Sequence, residues 1–264
     1  MEQVTDQARE AARRELGRFL AALQFFIRLP LPEIIARHAD HEAGLNRAAT
    51  HFPLVGLAIG IAVAIVWAVA ASLLPSIIAA GLALAAGMAL TGGLHEDGLA
   101  DCADGLGGGD TKEKALEIMR DSAIGTFGAA ALIFSIGLRW AALTALSTSA
   151  GISALIIAHA VARGAIAIAL RYATYARPEG TGKLVADGIS STELAIAVGI
   201  SIAVGLLFGG MAGIAAGIIG FAAAALMLAI FRRRIGGYTG DALGAMEQMA
   251  EIAVLIALSG FWHG

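Results

Sequence analysis

The sequence contains few charged residues. They make up 15% of the 264 residues, whereas an average soluble domain contains about 25%. Several windows of about 18 residues carry no charge at all, and such windows are long enough to cross a hydrocarbon core of about 30 Å. This scarcity of charge excludes an ordinary soluble domain. Together with 58% hydrophobic residues and a mean hydropathy of +0.78, it predicts a polytopic membrane protein.

Other features that the sequence lacks exclude further classes of protein. The lone Cys102 cannot form an internal disulfide or a metal–thiolate cluster. A net charge of -3 excludes a nucleic-acid-binding surface. The arginines of the N-terminal arm are spread along its length, unlike the charged tip and apolar run of a cleavable signal. No internal repeat supports the inverted halves of a transporter.

The N-terminal residues 6–28 predict an amphipathic helix lying in the membrane interface. Apolar residues such as Leu16, Leu20 and Leu23 recur at helical spacing, and the arginines occupy the opposite face. About seven spans follow, which gives an all-α polytopic helical bundle forming one membrane domain over residues 1–264. The predicted spans cover residues 53–74, 77–94, 126–148, 153–170, 194–208, 211–231 and 249–262.

The distribution of charge predicts an orientation. All 18 Lys and Arg except Arg139 and Arg163 fall in the N-terminal arm and in loops that seven spans place on one side. By the positive-inside rule that side is cytoplasmic. The same map assigns nearly all of the 21 Asp and Glu to this side. Polar chemistry, including the acidic segment 95–125, is therefore expected at the cytoplasmic face.

The stretch GGLHEDGLADCADGLGGG (92–109) gathers acidic residues directly after an apolar run. If it is helical, Asp97, Asp101 and Asp104 lie at about 0°, 40° and -20° around the axis and share one face. Like charges on one face repel unless a cation neutralises them, and hard oxygen ligands suit Mg²⁺ or Mn²⁺. A solvated acidic loop is the alternative. Glu96 points about 100° away and is predicted to be peripheral, and His95 is either catalytic or a cap of the preceding helix.

Polar residues elsewhere on the charged side are candidates for substrate binding. Arg28 either binds a phosphate or extends toward lipid headgroups. Asp241, in GGYTGD, is either a turn residue or a site residue. The remaining candidates are polar residues at the ends of predicted helices, where polar residues are also common without any function. They are Arg120, Asp121, Ser122, Thr126 and Thr239.

Three basic residues fall inside predicted spans. His159 and Arg163 share a helical face, because they are four residues apart, and Arg139 lies in another span. Buried basic groups are costly in a bilayer and usually face protein or water. They either line the floor of a substrate cavity or tie neighbouring helices together.

Five segments, spread in order over nearly the whole chain, carry a resemblance to a known family. The segments are FFIRLPLP (25–32), THFPLVGLAIG (50–60), TGGLHEDGLADCADG (91–105), ALEIMRDSAIGTFG (115–128) and GGYTGDALGA (236–245). Together they resemble the cobalamin synthase family, adenosylcobinamide-GDP ribazoletransferase. The acidic motif and the RDS…GT…G segment are the specific parts. The match departs at Ala123, where many members carry a polar or basic residue.

The resemblance implies a Mg²⁺-dependent transferase of late vitamin B12 biosynthesis in a bacterial cytoplasmic (inner) membrane. The ribose 3′-hydroxyl of α-ribazole, or of its 5′-phosphate, would attack the cobinamide-linked phosphate of adenosylcobinamide-GDP and release GMP. Asp97, Asp101 and Asp104 would be the catalytic, metal-binding residues, with His95 as a further catalytic residue. Substrate binding would involve Arg28, Arg120, Asp121, Ser122, Thr126, Thr239 and Asp241. The expected partners are these substrates and the lipid bilayer, without nucleic acid, and a homo-oligomer is left open.

Two other functions remain as alternatives. An ion or solute transporter would also use acids and glycine-interrupted helices, and it predicts carboxylates near the middle of the membrane, where the charge map places none. A CDP-alcohol phosphotransferase shares the metal and pyrophosphate chemistry. However, Asp101 replaces the Ala-Arg of that family's motif, and the later acidic spacing is absent.

Overall fold

The computed structural model describes residues 2–28, 32–40, 44–177, 185 and 187–262, so residues 29–31 of the motif at 25–32 lie outside it. In this part of the chain the regular elements are helices, which confirms the predicted all-α class. They are α1 (Glu2–Phe26), α2 (Glu33–Ala36), a 3-10 helix (Arg47–His51), α3 (Phe52–Leu73), α4 (Ser76–Thr91), α5 (Leu94–Gly108), α6 (Lys112–Ile118), α7 (Thr126–Thr144), α8 (Thr148–Tyr172), α9 (Ser191–Arg234) and α10 (Gly240–Phe261).

Five helical stretches are long and apolar enough to cross a membrane, and the bent pair α4–α5 is a sixth candidate. One of the five, α9, reverses direction at Gly210, where φ is 57° and ψ is -139°. A Cβ on Gly205 would lie only 2.9 Å from the carbonyl oxygen of Gly213, whereas eight residues of straight helix span about 12 Å. The arms 191–209 and 211–234 are therefore antiparallel, and the break between them lies where the sequence predicted the boundary between two spans.

Helix α8 occupies the centre of the bundle. It is the most deeply buried of the candidate spans, with 83% of its most apolar window inside the protein. Glycines of α3 allow the two backbones to approach closely: Gly56 lies against the carbonyl of His159, and a Cβ on Gly60 would be 2.8 Å from the Cα of Ile156. Small residues serve the same purpose in other membrane bundles. Side chains on α8 are thus positioned to contact several helices at once.

The bundle has a charged end and an apolar end. At the apolar end, Trp67 donates to the carbonyl of Thr148 (2.9 Å) and Trp140 donates to that of Ile77 (2.7 Å), so the short loops lie together. At the charged end, the Asn46 amide donates to the carbonyl of Gly188 (3.2 Å). The one-sided grouping of the charged loops is present in the fold.

Three boundaries of the predicted spans differ by four residues or more: α7 ends at Thr144 rather than at residue 148, α8 begins at Thr148 rather than at residue 153, and α10 begins earlier than predicted. Helix α10 begins at Gly240 rather than at residue 249, so Glu247 lies inside a candidate span. The predicted N-terminal helix is present, but only its second half packs on the bundle: Phe26 is buried, whereas Leu16 is 53% exposed. Its location in the membrane interface stays a prediction.

Candidate active site

A sharp bend places the acidic segment at the charged end of the bundle. Gly92 and Gly93 both have positive φ angles, 66° and 69°, which side-chain-bearing residues rarely adopt. The axis of α5 is consequently turned by 89° from that of α4. Arg28 stands beside this bend, where its backbone N–H donates to the carbonyl of Leu90 (2.9 Å) and its side-chain stem packs on Gly92.

Asp97 and Asp101 of α5 lie near Asp241 in the first turn of α10. The two helices approach closely at Gly98, where a Cβ would lie 2.7 Å from the carbonyl oxygen of Asp241. The three carboxylates are close enough to repel one another electrostatically. Asp97 is exposed and the other two are half-buried. Among the described residues, no hydrogen bond or ion pair involves the carboxylate of Asp97 or Asp101, so both are available to a cation.

Asp104 points to a different helix from its two predicted companions. Its carboxylate oxygens accept backbone N–H bonds from Gly125 (2.7 Å) and Gly128 (2.8 Å), at the start of α7. It is only 9% exposed. Asp104 therefore satisfies N–H groups that the first turn of a helix leaves without partners. Its role as a metal ligand stays a prediction, although the structure gives its carboxylate another task.

The loop before α7 carries the predicted RDS segment, which is exposed to solvent at the same end of the bundle. Asp121 accepts a hydrogen bond from the backbone N–H of Ala123 (3.1 Å), which shapes the turn. Arg120, Ser122 and Thr126 are exposed. Substrate contacts by these side chains stay predictions. The side chains are accessible, as such contacts would require.

Thr239 is the N-cap of α10 and is completely buried. Its hydroxyl accepts from the backbone N–H of Ala242 (3.1 Å) and donates to Asp241 Oδ2 (3.3 Å). The residue thereby fixes the carboxylate of Asp241. A direct substrate contact by Thr239 stays a prediction, and its geometry fits a positioning role better.

Arg177 is an important part of this site and was not among the residues predicted from the sequence. Its Nη1 lies 2.8 Å from Asp241 Oδ2. Its Nε and Nη2 are buried and have no hydrogen-bond partner among the described residues. The only signal in the sequence was an arginine in a polar loop on the charged side. A guanidinium with two unpartnered donors beside a carboxylate cluster is suited to binding a phosphate oxygen.

Pairing of the loops at 174–176 and 238 holds Arg177 in place. Tyr238 donates its backbone N–H to the carbonyl of Thr174 (3.0 Å), and Ala176 donates to the carbonyl of Tyr238 (2.8 Å). The Tyr238 hydroxyl donates to the carbonyl of Val185 (3.1 Å). Burial raises the pKa of this hydroxyl to about 12, with a smaller contribution from Tyr175. Tyr238 is thus a neutral hydrogen-bond donor that supports the loop.

Below the acidic cluster lies a buried ionic network, which corrects two predictions. Glu96 is not peripheral: it is 6% exposed, and its Oε1 lies 3.1 Å from Arg139 Nη2. Carboxylates also occur inside a candidate span, since Glu251 belongs to α10. Its Oε1 lies 3.0 Å from Arg139 Nη1. The prediction for Glu96 is wrong because the face of α5 that carries this residue is turned toward the bundle rather than toward solvent.

The same network explains His159 and Arg163. Glu247 Oε1 lies 2.6 Å from Arg163 Nη1, and Glu251 Oε2 lies 3.0 Å from His159 Nδ1. These contacts join α8 to α10, so the two basic residues tie helices together. The signal in the sequence was a pair of carboxylates four residues apart in α10, matching His159 and Arg163 four residues apart in α8.

His95 belongs to the network rather than to the exposed cluster. It is 3% exposed, and its Nδ1 lies 3.6 Å from Glu247 Oε2. A small cavity lined by His95, Glu96, Arg139 and His159 has about 10 Å³ of space, enough for one water molecule. The cavity is too small for a substrate. A catalytic role of His95 stays a prediction.

The predicted trio does not form a compact set of metal ligands. In the described part of the chain, the one group of three acidic, histidine or cysteine residues with ligand atoms within 4.8 Å of one another is His159, Glu247 and Glu251. Two guanidinium groups already neutralise these carboxylates. The exposed carboxylates on α5 therefore remain better candidates for a catalytic metal.

Comparison with known proteins assigns the chain to a family. The family described as cobalamin-5-phosphate synthase matches residues 18–259. The chain belongs to this family. The adenosylcobinamide-GDP ribazoletransferase of Shewanella baltica (strain OS185) is 40% identical over 256 residues, which cover 95% of this chain and 96% of that protein. The protein of the same name from Shewanella oneidensis is 39% identical over 261 residues, covering 96% and 98% of the two chains.

No solved structure matches the chain. The region matched by the cobalamin-5-phosphate synthase family contains the acidic helix, the loop before α7 and the start of α10. The resemblance inferred from the five motifs is confirmed, and the chain is a membrane protein of a transferase family.

Proposed function

We propose that the protein transfers the phosphocobinamide group of adenosylcobinamide-GDP to the ribose hydroxyl of α-ribazole or its 5′-phosphate. The hydroxyl oxygen forms a bond to the cobinamide-linked phosphorus, the bond from that phosphorus to the bridging oxygen breaks, and GMP leaves. The product is adenosylcobalamin or its 5′-phosphate. The observation that carries the proposal is a pair of carboxylates on α5 beside an arginine with two donors, all without a partner among the described residues, in a chain of this family.

We propose that Asp97 and Asp101 hold Mg²⁺ together with the substrate diphosphate, and that Asp241 faces them. The fit rests on three carboxylates that repel one another and on the absence of a hydrogen-bond partner for two of them within the described residues. Carboxylates plus substrate phosphates are the usual ligands of Mg²⁺, and Mn²⁺ takes the same ligands. The metal would stabilise negative charge on the phosphate oxygens. Asp104 contributes by holding the start of α7.

Two arginines at the rim of this cluster bind the diphosphate in our proposal. Arg177 offers Nε and Nη2, while Asp241 fixes the orientation of its guanidinium. Arg28 is exposed beside the bend that precedes α5. A guanidinium pairs with phosphate through two parallel hydrogen bonds, which both binds and orients the reacting group.

The proton of the attacking hydroxyl goes to a carboxylate of the cluster. His95 is nearly buried and faces Glu247, so its ring nitrogens are remote from a substrate on the surface. Asp97 is exposed and unpartnered among the described residues, which makes one of its oxygens the acceptor we favour.

A direct assay tests the reaction. The purified protein in nanodiscs should release GMP from adenosylcobinamide-GDP only when α-ribazole or α-ribazole 5′-phosphate and Mg²⁺ are both present. An assay without acceptor measures hydrolysis and serves as the control. Release of GMP at the same rate without any acceptor would contradict the transfer reaction.

One observation supports the transporter alternative and another argues against it. Glu247 and Glu251 do lie inside a candidate span, as a transporter would require. Each of them, however, lies against a guanidinium of Arg163 or Arg139, and the adjoining cavity has room for about one water molecule. These carboxylates therefore fit a structural role better than an ion path. No observation on the structure favours the CDP-alcohol phosphotransferase alternative.

We infer that the charged end of the bundle faces the cytoplasm of a bacterial inner membrane, because the lysines and arginines of the loops lie there. In intact cells carrying a Cys102→Ala background, a membrane-impermeant thiol reagent should label Ser149→Cys and spare both Lys112→Cys and Arg233→Cys. After the cells are opened, all three should react. Labelling of positions 112 and 233 in intact cells, with protection of position 149, would reverse the orientation.

A further inference from the structure

A basic cavity separate from the acidic cluster opens at the charged end, where the ends of α8 and α9 meet. It has a volume of about 340 Å³, within the range of small-molecule sites. We call it the basic cavity. Its described lining consists of Arg171, Tyr172, Ala173, Thr174, Arg232 and Gly236.

Positive charge around the basic cavity is not neutralised by any residue that the structure describes. Arg171 and Arg232 line it from α8 and α9, and Lys112 approaches from α6, with its Nζ 3.0 Å from the position that a Cβ of Gly236 would take. None of these three cations takes part in an ion pair with a described residue. The described lining contains no Asp or Glu. Three converging cations without a counterion among the described residues favour the binding of an anion.

Arg171 is held in a fixed orientation. Its Nε donates to the hydroxyl of Ser191 (3.1 Å), and its guanidinium lies 5.5 Å from the centre of the Tyr172 ring. These contacts leave its two terminal nitrogens without a hydrogen-bond partner among the described residues. A guanidinium held in this way forms paired hydrogen bonds to phosphate with little further loss of side-chain entropy.

The basic cavity is coupled to the acidic site through one short segment. Gly236 lines the cavity and Asp241 belongs to the acidic cluster, so even a fully extended chain separates them by no more than about 18 Å. The segment between them is fixed to residues 174–176 by backbone hydrogen bonds at Tyr238. Arg177, on the same partner segment, pairs with Asp241. A ligand in the cavity therefore lies on the same surface as the reacting groups.

We propose that the basic cavity is a second phosphate-binding site, distinct from the site of the diphosphate. This inference rests on the proposed function and adds to it a site for a terminal phosphate group. Two sources of that group exist at this position, namely the 5′-phosphate of the acceptor nucleotide and the headgroup of an anionic lipid. If the acceptor nucleotide supplies the phosphate in the cavity, the protein should prefer α-ribazole 5′-phosphate over α-ribazole.

The test compares two neighbouring arginines. Arg232→Gln removes a cation from the cavity, and Arg233→Gln removes the same charge from the next residue, which is exposed and does not line the cavity. In phosphatidylcholine nanodiscs, the ratio of kcat/KM for the phosphorylated acceptor to that for α-ribazole should fall about tenfold in Arg232→Gln, the effect of one charge-assisted hydrogen bond. Arg233→Gln should keep the wild-type ratio.

A second arm tests the lipid source. If the headgroup occupies the cavity, adding phosphatidylglycerol should raise the activity of the wild type with both acceptors. Arg232→Gln should lose this response, whereas Arg233→Gln should keep it. Either result supports a phosphate site and identifies its occupant. The proposal is overturned if Arg232→Gln and Arg233→Gln behave alike in both arms.

A binding measurement separates this proposal from the proposed function. Inorganic phosphate should raise the thermal unfolding temperature of the wild type and of Arg233→Gln, but not that of Arg232→Gln. If the wild type releases no GMP and phosphate still distinguishes the two variants, the reaction is wrong and the phosphate site stands. If GMP is released but neither assay distinguishes the variants, the phosphate site is wrong and the reaction stands.

Discussion

Replacing Asp101 with asparagine should lower the rate of Mg²⁺-dependent GMP release by about 10²-fold or more. Asp101 is close enough to Asp97 on its own helix and to Asp241 on α10 for their charges to repel, and its carboxylate has no hydrogen-bond partner among the described residues. Asparagine keeps the size and one oxygen ligand but removes the charge. The loss of one hard anionic ligand costs several kcal/mol of transition-state stabilisation, which corresponds to a rate change of this size. The measurement is GMP release as a function of Mg²⁺ concentration.

The control for this experiment is Asp110→Asn. Asp110 is exposed just beyond the end of α5, so its replacement removes the same charge outside the cluster. Asp97→Asn should behave like Asp101→Asn, and all three variants should unfold at the wild-type temperature. If both cluster variants keep the normal rate and the normal Mg²⁺ dependence, the carboxylates of α5 do not hold the metal.

Replacing Arg139 with methionine should lower the free energy of unfolding by about 3–5 kcal/mol. The guanidinium is 3% exposed, and it lies 3.0 Å from Glu251 Oε1 and 3.1 Å from Glu96 Oε1. Its removal leaves two buried carboxylates without this partner in a region where water cannot solvate them. The change can be measured by titrating the protein out of mixed micelles with a denaturing detergent.

Two further variants make the stability prediction specific. Arg233→Met is the same chemical change at an exposed position, and it should alter the free energy of unfolding only slightly. Adding Glu96→Gln and Glu251→Gln to Arg139→Met should recover part of the loss, because neutral amides cost less to bury than carboxylates. A loss below about 1 kcal/mol in Arg139→Met would be typical of a solvated ion pair and would show that the network is not buried from water.

Hydropathy located the candidate spans but not all of their ends. Even the division of α9 at residues 209–210 followed from its glycines, because Gly210 adopts a backbone conformation that other residues rarely adopt. The helical conformation of the acidic segment was also predicted. The start of α10 was missed because Glu247 and the neighbouring polar residues lower the hydropathy of its first half, although they are paired inside the bundle.

The sequence indicated which residues could form the candidate site better than it indicated how they are arranged. A helical wheel gives the direction of a side chain but not its height, and Asp97 and Asp104 are separated by about 10 Å along the axis. Asp104 therefore reaches the start of α7, at a different height from Asp97. Arg177 could not be found from a periodic pattern, because its position depends on pairing between two loops that are distant in the sequence.

The buried network of Arg139, Arg163, Glu247 and Glu251 has an electrical consequence for the cell. Each of its two guanidinium groups lies against a carboxylate, and the cavity beside them has room for about one water molecule. In the described part of the chain, these residues therefore adjoin a space too small to carry a column of water. A bundle closed in this way at the network can be present in a membrane without dissipating ion gradients through these residues.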